Sequence, residues 1–314
     1  MNIYNNLPRP FFALAPLDDV SDVVFRKIIA ECASPDLFYT EFVNVDGLQS
    51  PGRDRLMHRL KITDSDKPII AQIWGKNPEN YYKTAKDLLE MGFAGVDINM
   101  GCPDKAVVKN GCCVALINNR PLAKEIIDAT KAGLDNKLPI SVKTRLGFNS
   151  VDYTWHEFLL NQKLNSLAIH GRTKLQMSKV PADWEAIAHI RGLRDEISPD
   201  TVIIGNGDVI SRETGLELAE KYKIDGVMIG RGIFTDPFIF SKNSPWEKLP
   251  SEDKINLLAK HIQLFADTWK NNEKNVNTLK KFAKVYINNF DGAKELRDKL
   301  MRANSTSELL TILH

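Results

Sequence analysis

Eight short runs rich in apolar and β-branched residues recur as far as position 231, most of them followed by a stretch of helical period. They read FFALAPL (11–17), LFYTEFV (37–43), PIIAQIW (68–74), AGVDINM (94–100), PISVKTR (139–145), SLAIHGR (166–172), TVIIGNG (201–207) and DGVMIGR (225–231). Most lack strict alternation of apolar and polar residues, which is the pattern of strands buried on both faces of a parallel sheet. The segments between them, such as 78–92, 121–134 and 211–223, are amphipathic with helical period, and Gly and Pro mark most junctions. Eight βα units in about 240 residues predict an α/β protein built as a (β/α)8 TIM barrel. An open doubly wound sheet is the weaker alternative, because the first strand runs into APLDDVSD rather than a GxGxxG turn.

The rhythm stops at Ser244, Pro245, Pro250 and Ser251, and from Glu252 onward only helical patterns remain. The expected organisation is a barrel domain over 1–242 and a small all-α domain over 252–314. No apolar run approaches the roughly 20 residues of a bilayer span, and MNIYNNLPRPFF has no basic stretch leading into an apolar core. Four cysteines in 314 residues do not form a disulfide framework. A cytoplasmic monomer is the expectation, with no membrane partner. The net charge of +2 neither demands nor excludes nucleic acid, so any basic surface must be local. Lys280, Lys281 and Lys284 fall on one predicted helix, and Lys294, Arg297, Lys299 and Arg302 on the next, against Asp291, Glu295 and Asp298. Such a surplus either neutralises phosphates or is a solvated face.

Barrels bind ligands at the C-terminal ends of their strands, and often a phosphate beyond strands 7 and 8. Those loops read GNGDVIS (205–211) and GRGIF (230–234), where glycines let backbone amides approach an anion and Arg231 can clamp it. Gln72, Asn99, Lys143, Arg145, His170 and Arg172 lie at predicted strand ends. Each has a plain structural reading, but they share one rim. A lysine within an apolar strand needs a partner, and a flavin that acquires negative charge on reduction would supply one. Cys102 follows strand 4 directly and should point into the barrel mouth. Neither C-x-x-C spacing nor nearby histidines accompany it, so no metal is expected. Its protonated thiol suits proton donation during reduction of a conjugated C=C bond, with covalent catalysis the competing role. Cys112 and Cys113 read as structural.

The stretches LAPLDDVSDVVFR, YTEF, AQIWG, DINMGCP, SVKTRLG, IHGRTK, PADWEAI, IGNGDV and VMIGRG, in that order, resemble those of tRNA-dihydrouridine synthases over nearly the whole chain. KKFAKVYINNFDGAKELRDKLMRA resembles that family's helical domain. The resemblance implies an FMN-carrying barrel followed by a tRNA-binding helical domain, with NADPH (or NADH) as hydride source. In it, the flavin passes hydride to C6 of a uracil and Cys102 protonates C5. The residues it assigns to FMN are Pro16, Leu17, Asp18, Gln72, Lys143, His170, Asn206, Gly207, Asp208, Gly230 and Arg231. Asn99 and Arg145 match positions that hold the uridine. The region 43–60 and the tail look most like members acting at position 16 of the D-loop, with Asn44 where those carry arginine. Three departures stand out. Cys113 occupies a usual glycine, Met177-Ser178 replaces Gly-Tyr, and Leu17 replaces Met. A reductase of a free pyrimidine or enone is the alternative reading, but it has no need of a helical RNA-binding tail. An inactive RNA-binding protein is a further one, but it has no need of Cys102, Lys143 and His170.

Overall fold

The computed structural model describes residues 2–270 and 273–314. Nine parallel strands form the sheet: β1 (Phe11–Leu14), β2 (Phe38–Tyr39), β3 (Val43–Asn44), β4 (Ile69–Trp74), β5 (Gly95–Met100), β6 (Ile140–Arg145), β7 (Ser166–His170), β8 (Val202–Asn206) and β9 (Gly226–Ile229). Their order, β1-β9-β8-β7-β6-β5-β4-β2, is closed by a parallel bridge between Ala13 and Leu37, and β3 also pairs with β4. The result is the expected (β/α)8 barrel, with one difference. The run 37–43 is two strands rather than one. Thr40 Oγ1 accepts the backbone N–H of Gln72 at 3.0 Å, and a side chain there does the work of a ladder carbonyl. The chain turns at that point, and Glu41 is buried.

Helices α1 (Val23–Ala33), α2 (Val45–Leu48), α3 (Pro78–Leu89), α4 (Lys105–Lys109), α5 (Arg120–Leu134), α6 (Tyr153–Leu160), α7 (Trp184–Ile197) and α8 (Arg212–Tyr222) lie between the strands. Most begin at an Asp, Asn or Ser whose side chain accepts a first-turn N–H, such as Asp22 for α1, Asp183 for α7 and Ser211 for α8. Their apolar faces and the outward residues of the strands form one large core. The lumen holds a second apolar layer of Tyr4, Phe11, Ala13, Tyr39, Ile70, Ile204 and Met228. Inward positions nearer the C-terminal ends of the strands are polar instead, so the barrel is plugged below and chemically dressed above.

The helical region comprises α9 (Ser251–Thr268), α10 (Asn277–Lys280), α11 (Ala283–Tyr286), α12 (Ala293–Arg302) and α13 (Thr306–Leu313). The periodicity of 276–290 predicts one helix. It divides because Phe282 N–H bonds to Leu279 O and Val285 N–H to Phe282 O, i to i−3, tightening the turn around Phe282. Phe282 stacks on Phe25 of α1 with ring centroids 5.0 Å apart. Among the described residues, no helix is long and apolar enough to cross a membrane.

Candidate active site

A cavity of about 580 Å³ opens at the C-terminal ends of the strands. All fourteen residues that the resemblance assigns to catalysis, FMN or the uridine line it: Pro16, Leu17, Asp18, Gln72, Asn99, Cys102, Lys143, Arg145, His170, Asn206, Gly207, Asp208, Gly230 and Arg231, and Arg172 lines it with them.

Its floor is set by strand register. Gln72 of β4 pairs with Asp97 of β5, which pairs with Ser141 of β6. The three inward side chains form one polar rung. Ser141 Oγ donates to Asp97 Oδ1 at 2.6 Å, and Gln72 Nε2 donates to Oδ2 at 2.7 Å. The other end of the Gln72 amide accepts from Asn99 Nδ2 at 3.1 Å. Asn99 Oδ1 then accepts the backbone N–H groups of Gly101 and Cys102, both at 3.0 Å. A buried carboxylate is thus connected by two amides to the backbone of the cysteine. Burial pushes Asp97 up to about 6, against the pull of Ser141, Gln72 and Lys143.

Cys102 lies on the loop after β5, half-buried, and burial raises its thiol above the ordinary range. At neutral pH it carries its proton. Arg145, at the end of β6, is fixed by backbone carbonyls alone: Nε donates to Gly101 O at 2.8 Å, and Nη1 to Thr173 O at 3.2 Å and Met177 O at 3.4 Å. It is charged, although burial lowers it to about 10. The guanidinium joins the cysteine loop to the loop after β7.

Lys143 Nζ donates to Asn206 Oδ1 at 3.2 Å, and Asn206 Nδ2 donates to Met228 O at 2.8 Å. Burial, then Arg145, lowers the lysine to about 8, so it remains mostly charged at pH 7. His170 Nε2 accepts from Arg172 Nη1 at 3.3 Å. Burial and then the cations Lys143, Arg145, Arg172 and Arg231 push its pKa down to about 2, which keeps the imidazole neutral. Arg172 also donates to Asp208, which lies 3.4 Å from Arg231. Burial opposes ionisation of Asp208, but Arg172 outweighs it and holds the carboxyl low.

The loops after β8 and β9 form a cradle. Gly207 has φ +138°, and a Cβ there would lie 2.6 Å from Ala182 Cβ. A Cβ on Gly232 would meet Val209 O at 2.3 Å. Among the described residues, the N–H groups of Gly207, Asp208, Gly230, Arg231 and Gly232 donate to no protein acceptor. Unspent amides beside the exposed Arg231 suit an anion, and a phosphate fits this donor set.

Sequence reasoning did not assign Asp97 a role. Its only signal is a lone carboxylate in an apolar strand. Arg172 was placed at the rim without a partner, and the structure gives it His170 and Asp208. Asn44 does not line the cavity: its side chain caps α2, accepting from Gly47 N–H at 2.9 Å.

The family model for dihydrouridine synthase matches residues 13–314. The chain belongs to the dihydrouridine synthase family. Among curated relatives, it is 46% identical over 316 residues to "Probable tRNA-dihydrouridine synthase 2" of Bacillus subtilis strain 168, spanning 99% of this chain and 95% of that protein. It is equally 46% identical over 315 residues to a probable tRNA-dihydrouridine synthase of Staphylococcus aureus strain COL, spanning 99% and 94%. Among solved structures, a 2-naphthoyl-CoA reductase superposes with TM-score 0.59 at 12% identity, covering 79% of this chain and 53% of that one. Histamine dehydrogenase from Rhizobium sp. 4-9 superposes with TM-score 0.55 at 12% identity, covering 81% and 48%. The chain thus spans about half of each solved structure, and at such identity the likeness concerns the barrel alone.

Proposed function

We propose that this dihydrouridine synthase family member reduces the C5=C6 bond of a uridine in tRNA, using FMN in the barrel and NADPH as hydride source. The observation that carries the reading is one cavity holding a protonated thiol, the cations Lys143 and Arg145 and an amide-lined anion cradle. Family membership supplies the substrate class, and the relatives' names point to tRNA. When bound, FMN supplies the redox chemistry.

The chain's own residues do the rest. The free amides of the β8 and β9 loops, with Arg231, hold the cofactor's phosphate. Lys143, fixed by Asn206, places positive charge where reduction builds negative charge. Pro16, Leu17, Asp18, Gln72, His170 and Asp208 complete the walls on that side. Asn99 and Arg145 orient the pyrimidine, and they also hold the loop that carries Cys102. The Cys102 thiol gives its proton to C5, then recovers one from solvent. The lean toward position 16 of the D-loop rests on the resemblance of region 43–60 and the tail.

The test is anaerobic. The purified protein's flavin is reduced with NADPH, then mixed with tRNA lacking dihydrouridine, and reoxidation is followed, with free uracil and uridine as controls. Reoxidation by tRNA alone is the expected result. Reoxidation by a free pyrimidine, or absence of any flavin, overturns the reading.

A further inference from the structure

The segment His170-Gly171-Arg172 folds back on itself at the C-terminal end of β7. Arg172 N–H bonds to His170 O at 2.6 Å, a three-residue turn that lays the guanidinium beside the imidazole. Both side chains line the cavity. Arg172 is 3% exposed and held at three points. Its Nε donates to Val180 O at 2.6 Å, its Nη2 donates to Asp208, and its Nη1 lies 3.3 Å from His170 Nε2. Asp208 is fixed in turn, accepting the N–H of Ala182 at 2.8 Å.

A guanidinium has five N–H donors and no acceptor, and it does not lose its charge in a protein. His170 Nε2 can therefore meet it only with a lone pair. The neutral ring must then carry its single proton on Nδ1. Burial, and then the cations Lys143 and Arg145 of β6, Arg172 itself and Arg231 beyond β9, oppose a second proton. The carboxylate of this group, Asp208, is committed to Arg172 and Arg231. Among the described residues, nothing accepts from His170 Nδ1, and the atom is not one of the sealed, unpartnered polar atoms of the interior. Its open side is the cavity.

We propose that Arg172 is a positioning residue that fixes His170 in the tautomer protonated on Nδ1, so that the ring presents a permanent N–H donor to an acceptor atom of the cofactor's ring. The assignment to the cofactor rests on the function proposed above and deepens it. A donor that neither titrates nor changes tautomer suits a ring carbonyl or ring nitrogen whose negative charge grows on reduction. The opposite tautomer would turn a lone pair toward the same atom and repel it.

The test reads the ring directly. Holoenzyme carrying isotopically labelled histidine is followed by long-range proton–nitrogen NMR correlations, with His170 assigned by the signals missing from His170→Gln. In the wild type, Nδ1 should be protonated and Nε2 bare from about pH 6 to about pH 8, across the ordinary histidine value of about 6.5. Arg172→Met should release the ring to the Nε2–H form and let it titrate. Its FMN affinity, measured by dilution of the holoenzyme, should fall about tenfold, the scale of one hydrogen bond. Arg172→Lys, which also brings donors and no acceptor, should keep the wild-type tautomer. Should Arg172→Met not fold, the double variant Arg172→Met with Asp208→Asn strands no carboxylate and makes the same prediction for the ring. A wild-type ring protonated on Nε2 or on both nitrogens overturns the inference, as does an Arg172→Met ring that keeps its proton on Nδ1. Weaker FMN binding with the tautomer unchanged assigns Arg172 to the phosphate cradle alone and also overturns it. A wild-type ring protonated on Nδ1, in a protein whose reduced flavin tRNA does not reoxidise, overturns the proposed function and upholds the tautomer.

Discussion

Cys113 has φ +52° and Met177 has φ +54°, a left-handed backbone that costs a non-glycine residue roughly 1–2 kcal/mol. Both stand where the family pattern carries glycine. The conformation survives because the site uses it: the Met177 carbonyl accepts from Arg145, and Val114 N–H, next to Cys113, reaches the carbonyl of Cys102 at 3.5 Å. Met177→Val should therefore lose about 1–2 kcal/mol in urea unfolding, while Met177→Gly stays within about 1 kcal/mol of wild type, relief of strain offsetting unfolded-state entropy. A large loss for the glycine variant would show that the side chain, not the backbone, matters there. At Cys102 the thiol is raised by burial. The thiol should therefore stay protonated past its ordinary value of about 8.5, so a fall in single-turnover reoxidation by tRNA near pH 8 belongs to Lys143, lowered to about 8, and should be absent in Lys143→Arg. A rate rising with thiolate would favour covalent catalysis instead. Cys102→Ala should keep flavin and slow the step at least about tenfold, given that a general acid typically contributes 10²-fold or more.

At the scale of elements, the rung across β4, β5 and β6 controls where the cysteine loop sits. An asparagine at 97 can keep its Oδ1 on Gln72 Nε2 and offer its N–H₂ to Ser141 Oγ, which must then accept instead of donate, so the rung loses the charge that strengthens both of its bonds. Asp97→Asn should cost about 1–3 kcal/mol and slow reoxidation by tRNA, while NADPH still reduces the flavin at its usual rate. Equal slowing of both half-reactions would place the defect in flavin binding. The strands themselves were legible in the sequence because each is a short apolar run bounded by turn residues; PIIAQIW and PISVKTR, for example, match β4 and β6 to within one residue at each end. The break at Thr40 was not legible, because a hydroxyl replacing a ladder carbonyl leaves no trace in apolar periodicity. The role of Asp97 was hidden for a related reason. It depends on register between strands separated by whole helices, and a sequence records order, not register. The lysines of the tail show the same limit: composition grouped them, but Arg297 is spent on the Ile287 carbonyl at 2.7 Å and Lys280 on the Met301 carbonyl at 3.0 Å.

Across the whole molecule, buried imidazoles lie in both regions. His156 packs under Arg145, with its ring nitrogens 2.9 Å from Asp152 O and 3.1 Å from Arg145 O, and His261 lies 3.1 Å from the Tyr286 hydroxyl. Burial pushes each down to about 4. Between there and the unfolded value of about 6.5, the unfolded chain binds more protons, so stability is lost as pH falls through that window. Each ring should withdraw roughly 2 kcal/mol by pH 5, and Asp97, shifted the opposite way, should return about 1. Urea midpoints at pH 7.5 and 5.0 check this, and greater stability at pH 5.0 would refute it. The two regions are also tied by charge. Lys274 is buried, with Nζ 2.7 Å from Asp22 and 3.5 Å from Glu41, and Glu41 meets Arg59, which also binds Asp18 at the cavity rim. A tail grafted from another protein would therefore not be a neutral exchange. Unless it brought its own cation to the place of Lys274, it would leave Asp22 without its ion-pair partner and Glu41 with Arg59 alone, and so disturb the barrel it was meant only to accompany.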